Sequence, residues 1–262
     1  MVLMLYLCKQ NNTTMSKIFC LETEWVKSVH DLKSDSYVKP LLEFLLNTAP
    51  HSGIDSYTFR NVCCEKDFEY YIEHLRNKSY FDYNIVYLCF HGDPGAFAFP
   101  ADKKDKNKEP FSLIDFANQY EGIFKERPVN VHFGCCLTLN TNEDDILYFK
   151  RKTGANMVTG YEKSVPFVES FIFETWLMNA MAKHPDFRAT RIQELANKEM
   201  PFYVDKFKFM AGLLTRLFYK YNASILSQYG CIFFIPAQVM VGTVRPAIVV
   251  LLPTSRTRFA DE

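Results

Sequence analysis

The sequence lacks an excess of charge of either sign, since its 262 residues include 30 basic and 30 acidic side chains and no long basic tract. A neutral chain of this kind offers no broad positive surface for nucleic acid or an anionic membrane. A membrane-spanning start is also missing, because the apolar residues 1–8 are too few to span a bilayer and have no positive flank before them. We therefore expect no nucleic acid and no membrane among the partners, and no signal peptide.

Disulfide and zinc patterns are missing as well, although the chain has eight cysteines. They are scattered, no Cys-x-x-Cys spacing occurs, and two sets are adjacent pairs, Cys63-Cys64 and Cys135-Cys136. Adjacent cysteines rarely supply two ligands of a tetrahedral metal site, and the spacing does not resemble a small secreted framework. The prediction is a cytoplasmic protein with reduced thiols, no metal and no other cofactor.

Apolar residues are plentiful, at 48% of the chain, and they alternate between strand and helix patterns. Strands are predicted at residues 18–21, 57–62, 85–90, 129–135 and 155–161, and helices at 37–46, 67–75, 112–120 and 144–152. The strands are apolar on both faces, which is typical of parallel strands covered by helices on both sides. The predicted fold class is α/β, a three-layer α/β/α sandwich with a mostly parallel central sheet.

The C-terminal half carries a helical elaboration, with long helices predicted at residues 165–182 and 202–221, followed by strands at 232–235 and 247–252. The tract at residues 102–109 is strongly charged and is expected to be a solvated loop. Residues 1–14 are interpreted as a loose arm or an upstream start. Residues 15–262 are predicted to form a single domain.

Two of the apolar strands end in residues that can carry chemistry, His91 after the first and Cys136 after the second. Ligands and reacting groups gather at the carboxyl ends of parallel strands. If the two strands are neighbours, a thiol and an imidazole meet there, which is the minimum for nucleophilic catalysis. The N–H groups of Gly92 and Cys136 are then candidates for an oxyanion hole. His132, in the middle of a strand, is more simply a core residue.

The strings Phe90-His91-Gly92-Asp93-Pro94-Gly95 and His132-Phe133-Gly134-Cys135-Cys136-Leu137-Thr138 resemble those of the caspase-like cysteine peptidases (clan CD), especially the CHAT-type and small prokaryotic branches. The resemblance implies a caspase-like endopeptidase with a Cys136–His91 dyad and Cys135 as the second choice of nucleophile. It also implies protein or peptide substrates, an activating protein partner, and a role in bacterial defence or regulated death. The alternative is a catalytically silent interaction or sensor module on the same fold.

The resemblance further implies that the substrate pocket is lined just beyond the first, fourth and fifth strands. The residues at these places are Glu22, Glu24 and Glu162, with Asp93 as an additional candidate. Such carboxylates favour a lysine or arginine side chain before the cleaved bond. The same acidic residues are equally compatible with a location in solvated loops, where they would contact no substrate.

Overall fold

A six-stranded sheet lies at the centre of the fold, with strand order β2-β1-β3-β7-β8-β9. The computed structural model describes residues 15–23, 25, 36–101 and 109–212. All neighbouring strands of this sheet are parallel except β9, which pairs antiparallel with β8. A second sheet, of order β4-β5-β6, is antiparallel and has three short strands. The strands of the described residues are β1 (Ser16–Thr23), β2 (Ile54–Val62), β3 (Tyr83–Cys89), β4 (His91–Asp93), β5 (Ala96–Ala98), β6 (Phe111–Ser112), β7 (Asn130–Phe133), β8 (Met157–Tyr161) and β9 (Phe209–Ala211).

Helices cover both faces of the central sheet, and each face has its own apolar core. The helices are α1 (Lys39–Asn47), α2 (Ala49–Ser52), α3 (Glu65–Ile72), α4 (Leu113–Gln119), α5 (Glu143–Thr153), α6 (Phe167–Lys183), α7 (Ala189–Glu199) and α8 (Pro201–Phe207). Residues of α3, α4 and α5 pack on one face, and residues of α1, α6, α7 and α8 on the other. The predicted α/β class and the mostly parallel sheet between two helical layers are confirmed. Within the described ranges, none of the helices combines the length and the apolar character needed to cross a bilayer.

Aromatic rings fill the core under α3, α4 and α5. Phe68 is fully buried there, and its ring has six aromatic neighbours at centroid distances of 5.5–6.0 Å. These neighbours are Phe90, Phe97, Phe99, Phe111, Phe116 and Tyr120. Burying a phenylalanine in such a core stabilises a fold by about 3–5 kcal/mol relative to alanine. This core ties β3 and the small sheet to the helical layer, and so supports the chain segment that carries His91.

Capping residues set where two of these helices begin. Ser112 caps α4: its Oγ accepts the Asp115 N–H at 3.0 Å, and the Asp115 carboxylate accepts the Ser112 hydroxyl at 2.6 Å. Asn142 begins α5 in the same manner by accepting the Asp145 N–H at 2.8 Å. Helix α5 also has acidic residues in its first turn and basic residues in its last, which suits the helix dipole.

The predicted helix at residues 202–221 is wrong over part of its length. Helix α8 ends at Phe207, Lys208 takes the left-handed φ of 50°, and residues 209–211 form the edge strand β9. Gln193 of α7 holds this strand in place, because its Oε1 accepts the Ala211 N–H at 2.7 Å. Phe207 and Phe209 are both buried although they are two residues apart, a spacing that does not fit one face of a helix, and residues 209–211 pair with β8 instead.

Several predictions concern residues outside the described part of the chain. They are the arm at 1–14, most of the charged tract at 102–109, the end of the helix at 213–221, and the strands at 232–235 and 247–252. The single domain over residues 15–262 stays a prediction for the same reason.

Candidate active site

A cavity of about 610 Å³ lies where β3 and β7 end, on the face of the sheet covered by α1 and α6. His91 and Cys136 both line it. Most of its wall is apolar or aromatic, and the lining residues are Trp25, Tyr37, Val38, Leu41, Cys89, Phe90, His91, Gly92, Gly134, Cys136, Val165, Phe167, Ser170, Phe171 and Glu174. The structure therefore brings the two residues of the predicted dyad to one concave site.

The strand register explains why these two residues meet. Strands β3 and β7 are parallel neighbours, with Leu88 opposite Phe133. His91 and Cys136 each follow this pair by three residues, and neighbouring parallel strands lie about 4.8 Å apart. Side chains alternate between faces along a strand, so His91 shares a face with Cys89, and Cys136 with Gly134. All four residues line the cavity, so this face of each chain segment is the one turned toward it.

Gly92 packs directly on the backbone of Cys136. A Cβ atom at position 92 would lie 1.8 Å from the Cys136 carbonyl oxygen and 2.8 Å from its nitrogen. Gly92 has a φ that any residue can adopt. Glycine is therefore needed here because a side chain would not fit, and not because of the backbone conformation. The peptide groups of the two predicted oxyanion-hole residues are therefore in contact.

The two adjacent cysteines have different surroundings. Cys135 is fully buried in the aromatic core, where its thiol accepts the Phe90 N–H at 3.2 Å and donates to the Leu88 carbonyl at 3.3 Å. Burial raises the pKa of the Cys135 thiol well above its usual value. Cys136 is half-buried and lines the cavity. Cys135 thus ties the tips of β3 and β7 together, and Cys136 is the cysteine placed to meet a ligand.

The loop from β8 to α6 contributes to the surroundings of Cys136. The Val165 N–H donates to the Cys136 sulfur at 3.3 Å, and the thiol in turn reaches the Val165 carbonyl oxygen at 3.9 Å. The next residue, Leu137, has a left-handed φ of 62°. A non-glycine residue in this region costs about 1–3 kcal/mol, and such strain is concentrated at functional sites. The chain therefore makes a sharp, strained turn immediately after Cys136.

Trp25 is a second neighbour of His91 and was not predicted from the sequence. Its ring packs edge-on against the imidazole at a centroid distance of 4.7 Å. The indole N–H donates to Glu22 Oε1 at 2.7 Å, and the same oxygen accepts the N–H groups of Tyr37 and Val38 at 3.0 and 3.1 Å. Glu22 therefore holds the aromatic wall that supports His91.

Three of the four acidic residues predicted to line a substrate pocket are described by the structure, and they do not line this cavity. Glu22 is fully buried, and the hydrogen bonds it accepts hold the aromatic wall in place. Burial raises the pKa of its carboxyl despite these hydrogen bonds. Asp93 is exposed, and Glu162 is half-buried, with its N–H donated to the Lys208 carbonyl at 3.3 Å. None of these three described residues is among those that line the cavity. Glu24 lies outside the described residues.

Glu174 of α6 is the carboxylate that does line the cavity among the described residues. It is only 4% exposed, and its two oxygens accept the hydroxyl groups of Tyr87 and Tyr161, the latter at 3.1 Å. His132 lies behind it, with Nε2 at 3.6 Å from Oε1 and Nδ1 bound to the Thr159 hydroxyl at 2.9 Å. The sequence does contain a signal for this residue, since Glu174 is a lone carboxylate in the apolar run at residues 171–178.

These elements define an α/β/α sandwich whose two central strands deliver an imidazole and a thiol to one cavity. Within the described residues, no three His, Cys, Asp or Glu side chains cluster in a way that could hold a metal ion. The chain belongs to a family described as "Family of unknown function (DUF6642)", whose profile matches residues 15–202. A comparison with curated proteins gives no match.

Proposed function

We propose that the protein is a cysteine endopeptidase in which Cys136 is the nucleophile and His91 the general base and acid. One observation carries the proposal: β3 and β7 are adjacent parallel strands, and His91 and Cys136, which follow their ends, line the same cavity. A thiol beside an imidazole at the mouth of a groove is the arrangement that nucleophilic acyl transfer requires.

In this mechanism His91 accepts the Cys136 proton, and the sulfur attacks the carbonyl carbon of a bound peptide. The carbonyl oxygen becomes negatively charged, and the N–H groups of Gly92 and Cys136 stabilise it. His91 then returns the proton to the leaving amine as the C–N bond breaks, which leaves a thioester on Cys136. Water hydrolyses this thioester with His91 as the base, and the thiol is regenerated. No cofactor enters these steps.

The order of elements supports a relationship to the caspase-like peptidases. A strand followed by His-Gly, then a helix, then the adjacent parallel strand ending in Cys is the arrangement that the resemblance implied. With that relationship we infer peptide or protein substrates, control by an activating protein partner, and a role in bacterial defence or regulated death. We also infer a cytoplasmic location, because the cysteines are scattered along the chain and their spacing does not resemble a secreted disulfide framework.

Labelling by peptidyl electrophiles tests the proposal. A panel of acyloxymethyl ketone peptides ending in Arg, Lys, Leu or Asp covers several preferences, so the outcome does not depend on one side chain. We expect one covalent adduct at Cys136, and Cys136→Ala should abolish it. Cys64→Ala is the matched control, because Cys64 is also half-buried but precedes α3, outside the cavity lining.

Equal labelling of the wild type and Cys136→Ala would refute the assignment. Absence of any Cys136 adduct with the whole panel would favour the alternative, a silent interaction module on the same fold.

A further inference from the structure

The base of the cavity combines a buried carboxylate with apolar walls. Glu174 is the one acidic residue among the described lining residues, and no lysine or arginine is among them. The walls include Trp25, Tyr37, Phe167 and Phe171. A site of this composition suits a side chain with a long apolar stem and a polar, positively charged end.

Gly134 keeps the carboxylate open to the cavity. A Cβ atom at this position would lie 3.0 Å from Glu174 Oε1 and 2.6 Å from Tyr87 Cε2. Any larger residue would therefore stand between the cavity and Glu174. Gly134 has an ordinary φ, so its lack of a side chain matters for space alone. It also precedes Cys136 by two residues on the same face, about 7 Å along an extended strand.

The contacts of Glu174 on its core side leave part of its bonding capacity unused. Burial raises the pKa of both Tyr87 and Tyr161, so each phenol keeps its proton and donates it to the carboxylate. His132 Nε2 at 3.6 Å is farther than a hydrogen bond. A carboxylate has about four acceptor positions, and two hydroxyl donors fill half of them. Glu174 also lines the cavity, and no lysine or arginine among the described lining residues stands against it.

We infer that Glu174 receives the ammonium or guanidinium group of a lysine or arginine side chain directly before the cleaved bond. This inference rests on the proposed peptidase function and names its specificity residue. The substrate's Cα would lie beside Cys136, its stem between the aromatic walls, and its cationic end over Gly134. A basic preference was expected from Glu22, Glu24 and Glu162, whereas the geometry assigns it to a residue of α6.

Substrates that differ in charge alone test the inference. Two fluorogenic tetrapeptide libraries, mixed at the first three positions, end in arginine or in citrulline, which has nearly the same shape but no charge. We expect the wild type to prefer arginine by about 10- to 100-fold in kcat/KM, the range of a hydrogen bond to a charged group. Glu174→Gln should reduce the preference to within about threefold, mainly through a lower kcat/KM for the arginine library.

Glu169→Gln is the matched control, because Glu169 is on the same helix, pairs with Lys206 at 2.5 Å and does not line the cavity. It should retain the full preference for arginine. The wild-type comparison needs no variant, so the inference is testable even if Glu174→Gln fails to fold.

Cleavage that depends on Cys136 but treats arginine and citrulline alike would overturn the inference and leave the peptidase function standing. So would a preference that survives in a folded Glu174→Gln protein. Absence of Cys136-dependent cleavage in both libraries, together with failure of the electrophile panel, would refute the function itself and the inference with it.

Discussion

Replacing Gly92 with alanine should disable the site with only a moderate loss of stability. The new Cβ would lie 1.8 Å from the Cys136 carbonyl oxygen, whereas real contacts of this kind are essentially never below 3.0 Å. The backbone of the nucleophile must therefore move by roughly 1 Å, and a displacement of this size costs on the order of 100-fold in rate. Overpacking at such a contact typically costs about 1–3 kcal/mol of unfolding free energy.

The rate constant for labelling by the best electrophile measures the first effect, and urea unfolding measures the second. Gly122→Ala is a suitable control, because its Cβ would meet open space, with Lys125 Cδ nearest at 3.9 Å. Its φ of 71° makes alanine unfavourable by about 1 kcal/mol, so this variant loses stability without touching the cavity. A folded Gly92→Ala protein that labels at the wild-type rate would refute both the oxyanion-hole assignment and the contact on which it depends.

Two further predictions follow from the buried acidic groups. Burial raises the pKa of Glu22, so the folded protein holds this proton more tightly than the unfolded chain, and stability should fall as pH rises from the usual carboxyl range to the raised pKa. The free energy of unfolding, measured by urea denaturation between about pH 4 and 7, should fall less with rising pH for Glu22→Gln than for the wild type. Equal falls in the two proteins would contradict the buried placement. Iodoacetamide should modify Cys136 at least roughly tenfold faster than Cys135, whose thiol stays protonated, and fragmentation mass spectrometry separates the two sites. The reverse order would make Cys135 the nucleophile.

Five of the six strands of the central sheet, all but β9, could be predicted from the sequence because each is a local pattern. Runs that are apolar on both faces, such as residues 85–90, indicate buried parallel strands. Ser112 three residues before Asp115 is a local capping signal. Even the pairing of β3 with β7 follows from the preference of sequential strand-helix-strand units for adjacent strands.

The lining of the cavity could not be predicted in this way. Whether a glutamate after a strand faces a ligand or the protein interior depends on where distant segments cross it. Glu22 accepts hydrogen bonds from residues 15 and 16 positions later in the chain, and this contact turns it into an internal anchor. Glu174 lies 38 residues after Cys136, and only the packing of α6 on the sheet brings it to the cavity. Its isolation in an apolar helix was a visible signal, but the helix period alone does not say which site it serves.

The division of roles between the two adjacent cysteines is decided by core packing rather than by cysteine chemistry. On β7 the alternation that buries Val131 and Phe133 in the aromatic core also buries Cys135, and it turns Cys136 to the other face. A shift of the chain by one residue would exchange the two thiols and would also drive Phe133 out of the core. The loss of a buried phenylalanine, about 3–5 kcal/mol, makes that exchange strongly unfavourable. The burial of Phe133 on one face of the sheet therefore keeps Cys136, the candidate nucleophile, on the other face.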